Sequence, residues 1–445
     1  MSANLLKAQS FIAAFRSAAP YIHAFRDKIF VIAFGGEVVS DGKFVEFTHD
    51  INLLESLGVR LILVHGARPQ IDAKLKEKGV AARYVNGLRV TDSAALACVK
   101  DANGAVRVEI EALLSMAIAN SPMAGSDIRV ASGNSVTARP VGVVDGIDFQ
   151  QTGVVRKIDA EGIRRRLEDE EIVLLSPLGY SPTGEIFNLA LEDVATSAAI
   201  ALKADKLIFL MDAQGVHDAK GRLISELTAQ QAEDFLAHAK HQPEDVMLYL
   251  PAAVRACKDS VAKAHLITRH VDGALLLELF TQQGIGTMVT QHSLETLRGA
   301  TIDDVGGILR LIEPLEQEGT LVKRNRDLLE TEIERFWVLE HDRTIVGCVA
   351  LYPFASARAG ELACLAIDAS YRESGRGEML LKHVETQAKK RNMKELFVLS
   401  TRAAHWFVER GFVAAALDRL PEEKQQLYNY ERRSKVFAKS LAAQP

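Results

Sequence analysis

The chain has 445 residues, of which 48% are hydrophobic and 25% charged, and its formal net charge is -5. That length calls for two or more domains, and the proportions are those of a globular protein. The charge gives no electrostatic basis for binding nucleic acid or an anionic membrane, and no stretch approaches the ~18 apolar residues of a membrane span. Four cysteines, Cys98, Cys257, Cys348 and Cys364, show no C-x-x-C spacing. This argues against a disulfide framework or a zinc site and fits a reducing cytoplasm.

The first 26 residues contain no acidic side chain but carry Lys7, Arg16 and Arg26, mildly like an organelle transit peptide. Phe11, Ile12, Phe15 and Ala19 instead form an amphipathic stripe, so residues 1–27 read as a folded or partner-binding helix. From Lys28 strands and helices alternate. Ile29 to Phe34 reads as a strand ending in Gly35-Gly36, Asp50 to Leu57 as a helix, and Arg60 to Val64 as a strand running into His65-Gly66-Ala67-Arg68-Pro69. Further helices are expected over Gln70 to Lys78, Leu191 to Leu202 and about Pro251 to Ala264. Further strands are expected over Ile172 to Leu175 and Lys206 to Met211. This alternation predicts an α/β domain with a largely parallel sheet.

The pieces FVIAFGGEVV, LILVHGARPQI, NLALEDVATSAAIALKADKLIFLMDAQGV and GALLLELFTQQGIGTMV resemble the amino acid kinase family, most closely acetylglutamate kinases, over about Phe30 to Val289. In those kinases a lysine two residues before the Gly pair neutralises the transferring phosphoryl group; here Ala33 stands there. The Gly-rich phosphate turn is replaced by Gly66-Ala67-Arg68-Pro69. Phosphoryl transfer depends on positioning and charge stabilisation, so a kinase fold without kinase activity is expected over residues 28–291. Arginine-sensitive members bind L-arginine between an N-terminal helix and a C-terminal segment. The resemblance therefore implies a regulatory arginine site at Tyr21, His265, Glu278, Gln283, Gly284 and Gly286, with Glu278 facing the guanidinium. It also implies a homo-oligomer, a homohexamer in that family's pattern.

Thr290 to Gly299 is polar and marks a domain boundary, with the second domain expected over 297–445. Ile308, Leu311, Ile312 and Leu315 mark an amphipathic helix, and Arg326 to Arg335 another. Phe336 to Leu339 and Ile345 to Leu351 read as a strand hairpin. Leu362 to Ile367 is a buried-looking strand, Asp368 to Ser374 a polar loop, and Leu380, Leu381, Val384 and Ala388 recur at helical spacing. A strand over Leu396 to Leu399 and a short helix from Ala403 to Glu409 follow. Gly375 and Gly377 let the backbone approach a ligand, and the helix that follows presents N–H groups to an anion.

Arg372-Glu373-Ser374-Gly375-Arg376-Gly377 between that strand and helix resembles the GNAT superfamily of acetyl-CoA-dependent N-acetyltransferases, over roughly the last third of the chain. The resemblance implies that Arg372, Gly375, Arg376 and Gly377 hold the coenzyme A pyrophosphate. Cys364, Leu365 and Ile367 would line the acyl arm, in a gap where two strands splay. The fold expected overall is α/β: an amino acid kinase-like open, mainly parallel sheet sandwiched by helices, then a GNAT domain.

An inactive kinase domain followed by a GNAT domain resembles the bacterial N-acetylglutamate synthase family. That implies acetyl transfer from acetyl-CoA to the α-amine of L-glutamate, without a metal, in the cytoplasm, with L-arginine as allosteric inhibitor. The two substrate carboxylates need fixed cations, which arginine forks supply. Arg324, Arg326, Arg432 and Arg433 are available, and Arg324 with Arg433, beside Ser434, are the expected clamp. Glu361 is the expected base, and a backbone N–H near Cys364 or Leu365 the expected oxyanion donor. Ser400 and Tyr428 remain alternatives for the acid. Rival readings are a peptide acetyltransferase carrying an amino-acid sensor, a true kinase, and a non-catalytic arginine sensor.

Overall fold

The apolar runs of the first half form one sheet because each is buried on both faces, as a parallel sheet between helices requires. The computed structural model describes residues 3–85, 87–238, 242–430 and 432–441, and the chain divides into two units, 1–292 and 293–445. In the first unit the strands are Ile29–Phe34 (β1), Arg60–His65 (β2), Val130–Ser132 (β3), Ile172–Leu175 (β4), Lys206–Met211 (β5), Glu226–Thr228 (β6), Lys263–Thr268 (β7) and Thr287–Thr290 (β8). Their order across the sheet is β6-β8-β7-β5-β1-β2-β4-β3. All pairs are parallel except β7 with β8.

Side chains alternate between the two faces of a strand. Phe30, Ile32 and Phe34 accordingly pack into one core with Leu61 and Leu63, while Val31 and Ala33 pack into the other with Ile62 and Val64. A smaller four-stranded sheet, built from Val136–Pro140, Gly153–Ile158, Leu178–Tyr180 and Ile186–Asn188, lies within the same unit. The helices used below are Ala3–Phe25 (α1), Phe44–Ser56 (α2), Arg68–Glu77 (α3), Glu244–Lys258 (α4) and Ala274–Phe280 (α5).

One expected element is corrected. The helix over about Pro251 to Ala264 is instead α4, which ends at Lys258, and the chain then turns into β7. Pro251 lies inside α4, about two turns beyond its start. β7 pairs with β5 from Lys206↔Lys263 to Met211↔Thr268.

The second unit starts before residue 297, because Glu295–Gly299 is a strand (β9) rather than linker. It pairs antiparallel with Phe336–His341 (β10). Helices Val305–Gln317 (α6) and Arg326–Glu332 (α7) intervene. Strands Thr344–Phe354 (β11), Ala359–Ile367 (β12), Glu395–Ser400 (β13), Val413–Ala415 (β14) and Lys435–Ser440 (β15) complete a sheet of order β9-β10-β11-β12-β13-β15-β14. The expected polar loop after β12 is a 3-10 turn, Ala369–Ser374, and leads into helix Arg376–Lys390 (α8). Leu380, Leu381, Val384 and Ala388 are its buried face. Helices Ala404–Val408 (α9) and Glu422–Gln426 (α10) are short.

Asp50 on α2 is 7% exposed. Burial, with the Asp272 carboxylate nearby, pushes its carboxyl up to about 7. The folded state then holds a proton that the unfolded chain has lost. The cost is absent below the ordinary carboxylate range and complete once pH exceeds about 7. Asp50→Asn, neutral at all pH, is expected to stabilise the protein at pH 8 by up to roughly 4 kcal/mol and to leave it unchanged near pH 4. Thermal unfolding at the two pH values checks this; equal effects at both would contradict it.

Candidate active site and regulatory pocket

In the second unit, β12 and β13 run parallel but pair only over Ala359–Glu361 against Glu395–Phe397. Beyond Glu361 the two strands continue without pairing to each other, to Ile367 and Ser400. An open wedge therefore begins beside Glu361. On the other side of β12 the pairing with β11 slips from Cys348↔Ala366 to Ala350↔Ala363. Cys364 and Leu365 together oppose Val349, and Cys364 takes φ +53. This is a β-bulge, whose extra residue leaves the ladder, within the stretch expected to supply an oxyanion N–H. The Cys348 thiol donates to the Cys364 carbonyl at 3.4 Å.

Glu361 is 8% exposed and faces Tyr352 on β11. Its Oε2 lies 2.7 Å from Lys424 Nζ on α10. The Tyr352 hydroxyl donates to Glu332 at 2.6 Å. Arg324 joins this group from the loop after α6. Burial works against its charge, but Cys364 and Tyr352 beside it outweigh that and push its guanidinium up. The structure thus brings Arg324, Tyr352, Glu361 and Cys364 together.

Arg433 is more loosely placed. It takes φ +48 and its side chain is exposed, whereas the adjoining Ser434 is buried. Its neighbour Arg432 donates to the carbonyls of Gly319, at 3.4 Å, and Thr320. Burial and the nearby Arg324 charge pull Arg432 down. The two candidate acids differ. The Tyr428 hydroxyl donates to the Ser434 carbonyl at 2.7 Å. Ser400, the last residue of β13, accepts the Ala403 N–H at 3.0 Å, which leaves a hydroxyl proton to give.

At the far end of β12, Gly375 takes φ +76 as the N-cap of α8 and no side chain caps that helix. A left-handed residue there favours glycine, and the first N–H groups of a 15-residue helix are left to face an anion. A Cβ on Gly377 would stand 3.2 Å from the Trp406 ring. Arg372 is exposed, its Nε 3.4 Å from the Ile367 carbonyl. Leu365 and Ile367 are half-buried along β12. Arg376 turns to Glu295 and stacks 5.1 Å above the Tyr371 ring, so its guanidinium is committed to protein groups. A wedge between strands ending at an uncapped helix start fits a long thiol carrying a pyrophosphate. Gly377→Val is expected to weaken coenzyme A binding at least ~10-fold by pressing on Trp406 and covering the helix start. Calorimetric titration with coenzyme A would show it; undiminished affinity in a folded variant would refute the cradle.

In the first unit, the place of a phosphoryl-neutralising lysine is apolar. Ala33 is 1% exposed, between Val64 and Phe209 in register. The turn after β2 is filled: Gln70 donates to the Gly36 carbonyl at 2.7 Å, and Arg68 pairs with Glu244 at 3.3 Å.

The expected arginine residues gather around α5. Glu278 is buried, and His265 Nδ1 on β7 lies 2.7 Å from its Oε1. The N–H groups of Ile285 and Gly286 donate to Oε2 at 2.7 and 3.0 Å. Burial would raise the Glu278 carboxyl, but these three donors hold it down to about 2. Burial and the Lys206 ammonium hold His265 down to about 4, against the pull of Glu278. His265 is therefore neutral, giving its Nδ1 proton to Glu278 and accepting Lys206 Nζ at 3.2 Å on Nε2. Lys206 also lies 5.2 Å from the Phe25 ring centroid at the end of α1, and Phe25 in turn meets Tyr21 at 6.0 Å. Close packing shapes the loop: a Cβ would stand 2.5 Å from Glu278 at Gly284 and 2.2 Å from the Leu266 carbonyl at Gly286. Gln283 is exposed.

Sequence reasoning missed Lys206, Tyr352 and Lys424. A lysine opening an apolar strand, as in KLIFLM, is the one signal that pointed to Lys206. Among the described residues no cluster of three or more His, Cys, Asp or Glu is able to hold a metal, and no helix is long and apolar enough to cross a membrane.

Residues 28–268 match the amino acid kinase family, and residues 332–414 match the acetyltransferase (GNAT) domain. An amino-acid acetyltransferase of Ralstonia nicotianae is 53% identical over 433 residues, 97% of this chain and 96% of the relative. One from Pseudomonas putida is 54% identical over 426 residues, 96% of this chain and 98% of the relative. The crystal structure of N-acetylglutamate synthase from Neisseria gonorrhoeae complexed with coenzyme A and L-arginine is 38% identical with a TM-score of 0.84, covering 97% of this chain and 99% of that one. The same enzyme complexed with coenzyme A and N-acetyl-glutamate is likewise 38% identical over the same shares of the two chains, and gives a TM-score of 0.62.

Proposed function

The chain belongs to the amino-acid acetyltransferase family, and we propose that it acetylates the α-amine of L-glutamate from acetyl-CoA. The products are N-acetyl-L-glutamate and CoA, in the first step of arginine biosynthesis. The chain is a GNAT acyltransferase that uses acetyl-CoA. One observation carries the proposal: a buried carboxylate, Glu361, stands where β12 and β13 part, opposite Tyr352 and near the Cys364 bulge, and Arg324 lies beside Tyr352 and Cys364.

Acetyl-CoA supplies an activated acyl group. Arg324 and Arg433 hold the α-carboxylate of glutamate, with Ser434 beside them. Glu361 takes the ammonium proton, directly or through water, and the freed amine attacks the thioester carbonyl. A backbone N–H at Cys364 or Leu365 stabilises charge developing on the carbonyl oxygen. Ser400 is favoured over Tyr428 as the proton donor to the thiolate, because the Tyr428 proton is engaged by a carbonyl. The amine reacts directly, so no covalent enzyme intermediate forms.

The first unit is a kinase fold without phosphoryl transfer, kept to bind L-arginine. A carboxylate has about four acceptor positions, and His265, Ile285 and Gly286 use three on Glu278. The fourth suits one N–H of a guanidinium. Tyr21, Gln283 and Gly284 complete the pocket, with Lys206 as a cation for the ligand's carboxylate. The neighbour complexed with L-arginine supports this reading. A cytoplasmic homohexamer is part of the same proposal.

The acceptor is tested by coenzyme A release with acetyl-CoA and free amines. Turnover with L-glutamate supports the proposal, whereas turnover with peptides and none with glutamate would overturn it.

A further inference from the structure

We propose that Lys424 is the positioning residue of the proton-accepting carboxylate, holding Glu361 aimed into the wedge between β12 and β13. The inference rests on the reading of Glu361 as base. The pair is closely made: Lys424 Nζ lies 2.7 Å from Glu361 Oε2, with side chains 22% and 10% exposed. A charge so far from water is costly unless a counter-charge stays with it.

The groups around Glu361 leave that part to Lys424. From β11 it faces Tyr352, whose hydroxyl is spent on Glu332. From β13 its register partner is Phe397, which carries no charge. Arg324 sits beside Tyr352 and Cys364 and is assigned to the substrate carboxylate. From α10 comes Lys424.

The segment that carries Lys424 is built to hold it still. The Lys424 N–H bonds the Pro421 carbonyl at 2.8 Å. Gln425 donates to the carbonyls of Asp418, at 3.1 Å, and Leu420, at 2.7 Å. Leu420 is buried at 3% exposure in a core with Phe397 and Ala359. The lysine is thus anchored to the strands that form the wedge. A lysine ammonium has three donors; one on Oε2 fixes the rotation of the carboxylate and leaves Oε1 to take the amine proton.

The test uses the full chain and follows kcat/KM for L-glutamate against pH in wild type, Lys424→Met, Lys424→Arg and Glu361→Gln. Without the cation the acid limb of the Lys424→Met profile is expected to move to higher pH by about one unit, a ~10-fold loss at the acid end. Coenzyme A affinity stays unchanged, and Lys424→Arg restores most of the profile. A purely structural lysine would lower the melting temperature and leave the limb in place. An unmoved limb in Lys424→Met, with Glu361→Gln inactive, would overturn the role of Lys424 and spare the base. Full turnover in Glu361→Gln would overturn both.

Discussion

Glu361→Gln is expected to lower turnover at least ~100-fold, the scale of a lost general base, and to leave coenzyme A affinity unchanged. Glutamine keeps the volume and the place in β12 but cannot take a proton. The coenzyme cradle lies at the other end of the strand, where Gly375 caps α8, so binding there has no reason to change. Steady-state coenzyme A release and calorimetric titration separate the two quantities. Unchanged turnover would remove Glu361 as base; lost coenzyme affinity would mean that the substitution had disturbed the wedge.

Glu278→Ala is expected to abolish any effect of L-arginine and to leave acetyl transfer intact. It also deprives His265 and the N–H groups of Ile285 and Gly286 of their acceptor. Breaking a buried charged cluster from one side costs about 3–5 kcal/mol, so the first unit should melt earlier. Glu278→Gln keeps an acceptor for the two N–H groups and separates the effects: sensitivity falls with less loss of stability. Measuring turnover against arginine concentration in both variants decides it. Retained sensitivity would move the site elsewhere.

Much of this was legible in the sequence because its signals are local. β1, β4 and β5 are short continuous apolar runs, which burial on both faces of a parallel sheet demands. The turn from Arg372 to Gly377 announces itself by glycine spacing before a helical pattern. Ala33 stands out only against a resemblance. What was missed depends on contacts between distant parts of the chain. β7 begins with Lys263 and contains His265, and its first two residues read as the tail of a helix; His265 meets Lys206 and Glu278 only once the sheet is assembled. The bulge at Cys364 leaves no mark in composition. It appears as a slip in register against β11. Lys424 lies in a charged stretch, PEEKQQ, that reads as solvated surface, and only the packing of Leu420 turns one of its side chains inward.

Arg376 carries the same lesson in the other direction. Its position within the turn marked it for a phosphate, yet Glu295, the first residue of β9, takes the guanidinium. A motif names a backbone shape more securely than it names the side chains that touch the ligand.

The most direct measurement is coenzyme A release from acetyl-CoA and L-glutamate, with and without L-arginine. Turnover that requires glutamate and is suppressed by arginine is the result expected. No turnover with glutamate, in protein that still binds acetyl-CoA, would contradict it.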